Sequence, residues 1–363
     1  MMRAALALAR RSLGRTWPNP AVGCVIVRDG QVIARGRTRD GGRPHAEADA
    51  IAEATASGAS LMGATAYVTL EPCSHHGRTP PCADALVAAG IVRVVSALED
   101  PDPRVKGQGH ARLEAAGVAV VVGEGAADAA AVNAGFLLRV REGRPLFQLK
   151  IAGSLDGRIA TASGESKWIT GEAARRDGHR LRAIHDAILV GAATAAADDP
   201  ELTCRLPGLG SRSPVRIVLD SQARLSPRSK LATSARVTPV WLVCTKSAPA
   251  DRRDTLNELG VDIVDVDAGS DGRIDVSTAA QALGRRGITR VLVEGGGQVA
   301  ASLLKAGLVD GISSYRAGLV LGADSRSAVG GLDFARLGSA PRFRLVSARQ
   351  LQGDTLETWR REA

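Results

Sequence analysis

The stretch TLEPCSHHGRTPPC, at residues 69–82, decides the fold of the first part of the chain, together with the triplet HAE at residues 45–47. The triplet opens a predicted helix, the first cysteine follows a predicted strand, and the second cysteine begins another predicted helix. One imidazole and two thiolates suit Zn²⁺, and three protein ligands leave one coordination position for water. The pattern predicts a water-activating zinc site, with His45, Cys73 and Cys82 as metal ligands and Glu47 as the catalytic residue that moves protons.

Two other interpretations of these residues stay open. The histidine and both cysteines could be core residues that bind no metal. A fourth ligand from the loop, His75 or His76, could instead close the zinc into a structural site. The complete pattern favours catalysis, because zinc deaminases combine H-x-E with P-C and a further cysteine. The spacing differs from the usual C-x-x-C, and the basic, proline-containing loop between the cysteines could hold a phosphate group.

The length of the chain indicates two domains, because single cores stop growing at about 250–300 residues and this chain has 363. The segment Arg141–Pro145 is charged, contains glycine and proline, and precedes a new predicted strand. We therefore expect one domain over residues 1–143 and a second over residues 146–363. Aromatic residues make up only 3% of the chain, so both cores must consist of Ala, Val, Leu and Ile.

Hydrophobic periodicity predicts alternating helices and strands in both domains, and therefore an α/β fold. The first domain should open with an amphipathic helix, continue with a hairpin, and end with one helix over residues 126–140. Segment 194–200 is predicted to be a loop, and two strands should form the tail around residues 353–354. In the second domain, strands are predicted at residues 147–151, 187–190, 215–219, 240–243, 261–266 and 291–293, and helices at 171–183, 278–285 and 298–306.

The composition excludes several classes of protein. A formal net charge of +9 would be compatible with binding to nucleic acid. The sequence, however, lacks a dense run of Lys and Arg and has few aromatic residues for base stacking. We therefore favour a phosphorylated small molecule as the partner. Five cysteines are few for a disulfide scaffold, the apolar stretch at the N-terminus is short for a secretion signal, and no apolar run approaches the length of a membrane helix. A cytoplasmic protein without a membrane partner is expected.

A second candidate site lies in the C-terminal half. The segment VLVEGGGQ, at residues 291–298, reads as a strand, a glycine turn and a helix start. Glycines let the backbone approach a phosphate, and a helix N-terminus offers free N–H groups, although a simple tight turn would show the same pattern. Lys150 lies in the apolar strand 147–151, and a buried lysine usually has a role.

The stretch 69–82 and the segment PNPAVGC at residues 18–24 resemble the bifunctional deaminase/reductase family of riboflavin biosynthesis, and the similarity extends through both halves. The resemblance implies a cytidine-deaminase-like α/β/α sandwich followed by a dihydrofolate-reductase-like α/β domain. It implies zinc-dependent deamination of the pyrimidine 2-amino group of diaminohydroxyphosphoribosylaminopyrimidine by residues 1–143. It also implies a second step, in which residues 146–363 reduce the ribosyl group to ribityl with NADPH. Residues Asn19, His75 and Arg78 would contact the first substrate.

The resemblance also implies the residues of the reductase site. Lys150 would lie at the reacting sugar with Asp198 and Glu294 nearby, and which of the three acts as the acid stays open. Segment 310–318 departs from the usual pattern of the family at Arg316 and Gly318. A homo-oligomer, a dimer or a tetramer, is implied as well. The implied NADPH contacts are Ala152, Trp168, Thr194, Asp198, Ser221, Gly295, Gly296, Gly297 and Gln298, and the implied substrate contacts are Ser166, Arg182, Arg205 and Glu294.

Two functions of other classes remain as alternatives at this point. A deaminase that edits nucleic acid could use the basic second half as an RNA-binding module, which requires clustered arginines and stacking aromatic residues. A second half without catalytic activity could serve assembly only. Binding of NADPH to the folded chain would separate both alternatives from the bifunctional enzyme.

Overall fold

The computed structural model describes residues 1–75 and 80–362 of the chain. It divides into two compact units, Met1–Gly143 and Arg144–Ala363. Both cores are aliphatic, as the low aromatic content requires. Among the described residues, no helix combines the length and the apolar character needed to cross a bilayer.

The first unit is a five-stranded sheet with the strand order β2-β1-β3-β4-β5. Strand β1 pairs antiparallel with β2 and β3, whereas β3, β4 and β5 are parallel. Helices α1 and α5 pack on one face of the sheet, and α2, α3, α4 and α6 pack on the other. The elements are α1 (Met2–Arg10), β1 (Gly23–Arg28), β2 (Gln31–Arg37), α2 (Ala46–Ala56), β3 (Thr65–Val68), α3 (Cys82–Ala88), β4 (Arg93–Ser96), α4 (Gln108–Ala115), β5 (Ala119–Val122), α5 (Ala126–Val132) and α6 (Ala134–Glu142).

A glycine fixes the position of helix α2 on this sheet. A Cβ atom at Gly36 of β2 would lie 2.0 Å from the carbonyl oxygen of Ala46, at the first residue of α2. Only a residue without a side chain allows this approach of helix to strand. The start of α2, where the predicted HAE triplet lies, is therefore held directly against the sheet.

The helix predicted over residues 126–140 was wrong as a single element, because the structure breaks it at Asn133. The side-chain oxygen of this buried residue accepts a hydrogen bond from the backbone N–H of Ala21 at 2.9 Å, and its amide donates to the Ala21 carbonyl at 3.1 Å. Asparagine competes well for backbone partners outside a helix, so the segment divides into α5 and α6.

The second unit is built on a nine-stranded sheet with the strand order β11-β10-β9-β8-β12-β6-β13-β16-β15, and β7 and β14 form a separate pair. Strands β6 and β8 to β13 are parallel, and β13, β16 and β15 are antiparallel. The elements are β6 (Leu146–Gly153), β7 (Arg158–Ala160), α7 (Glu172–Ala183), β8 (Ala187–Gly191), α8 (Ala192–Asp198), β9 (Val215–Leu219), α9 (Lys230–Thr233), β10 (Val240–Thr245), α10 (Ala250–Glu258), β11 (Asp262–Val266), α11 (Val276–Arg285), β12 (Arg290–Val293), α12 (Gly297–Lys305), β13 (Val309–Ala317), β14 (Arg326–Ser327), β15 (Phe343–Leu351) and β16 (Asp354–Arg361).

Two details of the second unit differ from or extend the sequence analysis. Segment 194–200 was predicted to be a loop, but most of it belongs to α8, whose alanines favour helix and whose buried Ala195 packs with Ile188 and Val190 of β8. The unusual stretch 310–318 belongs to β13 up to Ala317, and the residues of this strand are alternately buried and partly exposed. Its odd residue Arg316 forms an ion pair with Glu357 of β16 at 3.1 Å.

We predict that Asn133→Ala destabilises the first unit. The substitution removes two hydrogen bonds and leaves the buried N–H and C=O groups of Ala21 without these partners, which costs about 1–3 kcal/mol. Urea unfolding monitored by circular dichroism measures the change. The exposed Asn257→Ala is the control, and a midpoint for Asn133→Ala equal to that of the control would contradict the prediction.

Candidate functional site

Three predicted metal ligands from separate elements meet in the first unit. His45 immediately precedes α2, Cys73 follows β3, and Cys82 is the first residue of α3. The Nδ1 atom of His45 lies 3.6 Å from the Sγ atom of Cys73 and 3.4 Å from the Sγ atom of Cys82. One ligand atom from each residue lies within 4.8 Å of the other two.

These separations fit a zinc ion. Bonds of about 2.0–2.1 Å to nitrogen and about 2.3 Å to sulfur place neighbouring tetrahedral ligands roughly 3.6 Å apart. The backbone N–H of Cys82 donates to the Cys73 sulfur at 3.3 Å. Hydrogen bonds from Cys82 and His45 lower the pKa of Cys73 to about 4, so this sulfur is a thiolate ready for a metal. Geometry and donor chemistry therefore agree.

Glu47 lies on the first turn of α2, beside the metal ligands. Its side chain is buried and contacts the Cys82 thiol. Burial, and next the charge of Cys73, raise the pKa of Glu47 to about 7. A carboxyl group with this pKa can both accept and donate a proton near neutral pH.

The predicted substrate contacts of the first unit have different surroundings. Asn19 is partly buried, and its amide donates to the Gly42 carbonyl at 3.3 Å. The Nδ1 atom of His75 is buried, and it has no hydrogen-bond partner among the described residues. Arg78 and His76 lie outside the described residues. The Oγ atom of Ser74 is likewise buried without a hydrogen-bond partner, so two polar side-chain atoms in the described part of the loop between the cysteines have none.

In the second unit, Lys150, Glu294 and Arg182 form one charged cluster. The Nζ atom of Lys150 lies 3.3 Å from Oε2 of Glu294. Arg182 donates from Nε and Nη2 to the two carboxylate oxygens at 2.7 and 2.9 Å, and from Nη1 to the Thr203 carbonyl at 2.9 Å. Burial alone would raise the pKa of Glu294, but Arg182 and Lys150 hold it well below its usual range. The two cations therefore favour the ionised form of this carboxylate.

The surroundings of Lys150 differ from the all-apolar ones expected for its strand. Its ammonium group lies beside Glu294 and 5.9 Å from the ring centre of Tyr315, whose hydroxyl donates to Asp177 at 2.6 Å. Asp198 is exposed at the end of α8, and the described contacts do not connect it with Lys150 or Glu294. Sequence reasoning missed Tyr315 and Asp177, since a strand residue and a helix residue 138 positions apart give no shared local signal.

Glycines 295–297 form a tight turn between β12 and α12. A Cβ atom at Gly295 would lie 2.9 Å from the side chain of Val190, and Gly296 has a positive φ of 78°. Only glycine fits both positions without strain, because the turn packs closely against Val190 and Thr194. This turn follows β12, the strand that lies between β8 and β6, where the direction of the crossovers reverses. Ligands of open α/β sheets bind at such a switch point.

The remaining predicted cofactor and substrate residues lie on several different elements of the second unit. Thr194 of α8 lies against Gly295 and Gly296. A cavity of about 580 Å³ adjoins the same helix, and its lining includes Arg224 and Arg228. Ala152 is on β6, Gln298 is on α12, and Ser166 and the 70%-exposed Trp168 are in the loop before α7. Ser221 follows β9, and its hydroxyl accepts a hydrogen bond from the N–H of Ile274. Arg205 is exposed and forms an ion pair with Glu201.

Comparisons with known proteins decide between the functions that the sequence left open. The cytidine and deoxycytidylate deaminase zinc-binding region matches residues 1–98, and the RibD C-terminal domain matches residues 145–356. Riboflavin biosynthesis protein RibD of Escherichia coli is 43% identical over 97% of this chain and 96% of its own length, and that of Bacillus amyloliquefaciens is 40% identical over 97% and 93%. The chain belongs to the RibD family.

Solved structures agree with this family assignment. A structure of Acinetobacter baumannii RibD matches with a TM-score of 0.87 and 40% identity, covering 100% of this chain and 98% of that chain. A Thermotoga maritima diaminohydroxyphosphoribosylaminopyrimidine deaminase/5-amino-6-(5-phosphoribosylamino)uracil reductase matches with a TM-score of 0.87 and 34% identity, covering 99% and 97%. The two predicted α/β domain types are confirmed. The chain is a bifunctional deaminase and reductase of riboflavin biosynthesis that uses zinc and NADPH, and editing of nucleic acid is not favoured.

We predict that Cys82→Ala abolishes stoichiometric zinc binding, whereas Cys24→Ala retains it. Cys24 is equally buried in the same unit, but it lies on β1 and is not one of the three clustered ligands. Removing one of three ligands leaves too few donors for tight zinc binding. Metal analysis of the dialysed variants measures the zinc content. Equal zinc in both variants would contradict the assignment of Cys82.

Proposed function

We propose that the first unit, residues 1–143, deaminates diaminohydroxyphosphoribosylaminopyrimidine hydrolytically at its 2-amino group. The cluster of His45, Cys73 and Cys82 carries this proposal. A zinc ion held there would lower the pKa of water towards neutrality. Glu47, buried and with its pKa raised to about 7, takes a proton from the attacking water and delivers it to the leaving nitrogen. Asn19, His75 and Arg78 are the proposed contacts to the pyrimidine and its phosphoribosyl group.

The second unit, residues 146–363, is proposed to reduce the ribosyl group of the deaminated product to ribityl. NADPH supplies the hydride, and the glycine turn at residues 295–297, Ala152, Trp168, Thr194, Asp198, Ser221 and Gln298 are its proposed contacts. The turn begins α12, whose first backbone N–H groups suit a phosphate. The cavity beside α8 is lined by two cations, Arg224 and Arg228, and one carboxylate, Asp199. Ser166, Arg182, Arg205 and Glu294 are the proposed substrate contacts.

Lys150 is the proposed proton donor of the reductase. Glu294 is held ionised by two cations, and Asp198 is exposed and apart from the cluster in the described contacts. The ammonium group of Lys150 has three donors, of which Glu294 occupies one, so the others can reach the sugar oxygen when its ring opens. Glu294 and Arg182 then serve mainly to orient this ammonium group.

The proposal extends to the setting of the enzyme. Its partner is a phosphorylated small molecule. We propose a homo-oligomer, a dimer or a tetramer, in which reductase units pair. The edge strand β15 supports this pairing, because its apolar residues Leu345 and Val346 are each 48% exposed. The cytoplasm is the proposed compartment, since the five cysteines are free thiols.

Glu47→Gln is expected to reduce ammonia release about 10²–10⁴-fold, because it removes the group that transfers protons. The variant should retain zinc, and it should still oxidise NADPH with the deaminated substrate 5-amino-6-(5-phosphoribosylamino)uracil. Ammonia assays, metal analysis and NADPH absorbance measure these three properties. Glu114→Gln, an exposed change on α4, is the control. Full deaminase activity of Glu47→Gln would overturn its assigned role.

Lys150→Ala should decrease NADPH oxidation by a similar factor, about 10²–10⁴-fold, and leave ammonia release intact, because it removes the proton donor of the second step only. The matched change is Lys305→Ala, whose ammonium group forms an exposed ion pair with Asp333. Initial rates with 5-amino-6-(5-phosphoribosylamino)uracil test the reductase separately. Loss of both activities in Lys150→Ala would indicate misfolding, and loss of neither would exclude Lys150 as the donor.

A further inference from the structure

The carboxylate of Glu71 is a buried group that the proposed chemistry does not use. Its side chain is completely inaccessible to solvent, two residues before the metal ligand Cys73. Four backbone N–H groups donate to it. Oε2 accepts from Asp100 and Gly107, each at 3.0 Å, and Oε1 accepts from Gly109 at 2.8 Å and His110 at 3.3 Å.

These hydrogen bonds join two loops at the same edge of the sheet. Glu71 belongs to the segment after β3, and its donors belong to the segment after β4 and to the first turn of α4. Burying a carboxylate is costly unless hydrogen bonds replace its water shell, and four N–H donors at fixed places in the backbone do so only in one position of the side chain. The position of Glu71 is therefore fixed by the fold of the second loop.

The backbone between Glu71 and Cys73 transmits this position to the metal ligand. The intervening residue is Pro72, whose ring fixes φ and removes a soft torsion from the connection. Pro72 is also in close contact with α4, since a Cβ atom at Gly109 would lie 1.9 Å from its carbonyl oxygen. A displacement of Glu71 or of α4 must consequently move Cys73.

We propose that Glu71 is a positioning residue of the zinc centre, which holds the Cys73 sulfur at the correct distance from His45 and Cys82. The inference rests on the proposed ligand role of Cys73. It assigns to Glu71 a share of zinc affinity and of deamination, in addition to its contribution to stability. Groups that orient metal ligands typically change metal affinity or activity 10–100-fold when they are mutated.

Asp186 of the second unit provides a matched control. It is also a buried carboxylate whose partners lie in a distant segment, because Oδ2 accepts from the N–H and hydroxyl of Thr289 at 2.7 and 2.6 Å and from the N–H of Arg290 at 2.9 Å. Both oxygens of Glu71 accept N–H bonds, so a change to the amide turns an NH₂ group toward N–H donors there, whereas Asp186→Asn can keep its carbonyl oxygen on the donors of Oδ2. Both substitutions remove a buried charge that hydrogen bonds stabilise, but only Glu71→Gln should affect the metal.

The test compares Glu71→Gln with Asp186→Asn in the full chain. We expect Glu71→Gln to weaken zinc affinity, measured by competition with a chelator, about 10–100-fold and to lower ammonia release. The sulfur-to-metal bands of its Co²⁺-substituted form should shift, and NADPH oxidation with 5-amino-6-(5-phosphoribosylamino)uracil should be unchanged. Asp186→Asn should retain wild-type zinc affinity and the wild-type Co²⁺ spectrum. A Glu71→Gln variant that loses stability but retains both properties would show that Glu71 is only structural.

Gly109→Ala keeps the carboxylate and displaces Pro72 instead. We expect the same weakening of zinc affinity and the same kind of spectral change, and this variant decides the question if Glu71→Gln does not fold. Wild-type zinc affinity in folded Gly109→Ala would then overturn the proposal. Cys73→Ala tests the ligand role of Cys73 separately from the positioning role of Glu71. If this variant binds zinc as tightly as the wild type, the assignment of Cys73 as a ligand has failed.

Discussion

The meeting of three metal ligands within 4.8 Å is the constraint on which the first unit depends. The ligands come from the start of α2, the segment after β3 and the start of α3, so the sheet must hold all three elements in position. Gly36 makes this possible at one side, because it lets α2 approach β2 more closely than any side chain would allow. The same close approach of α2 to the sheet buries Glu47, because this residue lies on the first turn of that helix.

The reductase cluster follows a related rule with different chemistry. Glu294 comes directly after β12, and the glycine turn that begins α12 comes directly after Glu294, so the charged cluster and the glycine turn lie together at the carboxyl end of one strand. Two cations saturate the carboxylate, and Arg182 uses three of its nitrogens for Glu294 and a backbone carbonyl. The carboxylate orients the ammonium group of Lys150, which we propose as the proton donor. The sequence alone left the choice of acid open, because it does not show which of the three candidates are in contact.

Local sequence patterns predict the helices, the strands and the metal ligands, but they do not predict the long-range contacts. The period of apolar residues predicted most strands and helices, and H-x-E with two cysteines predicted the zinc cluster. The break at Asn133 depends on Ala21, 112 residues earlier in the chain, and the cation–π partner of Lys150 depends on the pairing of β6 with β13. Segment 194–200 was assigned to a loop because its polar residues outweighed its alanines, although Ala195 packs with residues of β8. Such contacts exist only once the sheet has formed.

The two units solve one physical problem, a buried carboxylate, in two ways with different consequences. Glu71 is neutralised by backbone N–H groups, which belong to fixed positions of the fold, so the carboxylate becomes an anchor for the chain that leads to Cys73. Glu294 is neutralised by the side-chain cations Arg182 and Lys150, so it orients the ammonium group that we propose as the proton donor. A carboxylate bound to the backbone is suited to setting a distance, as a metal centre requires. A carboxylate bound to cations is suited to proton transfer, because its partner retains free donors.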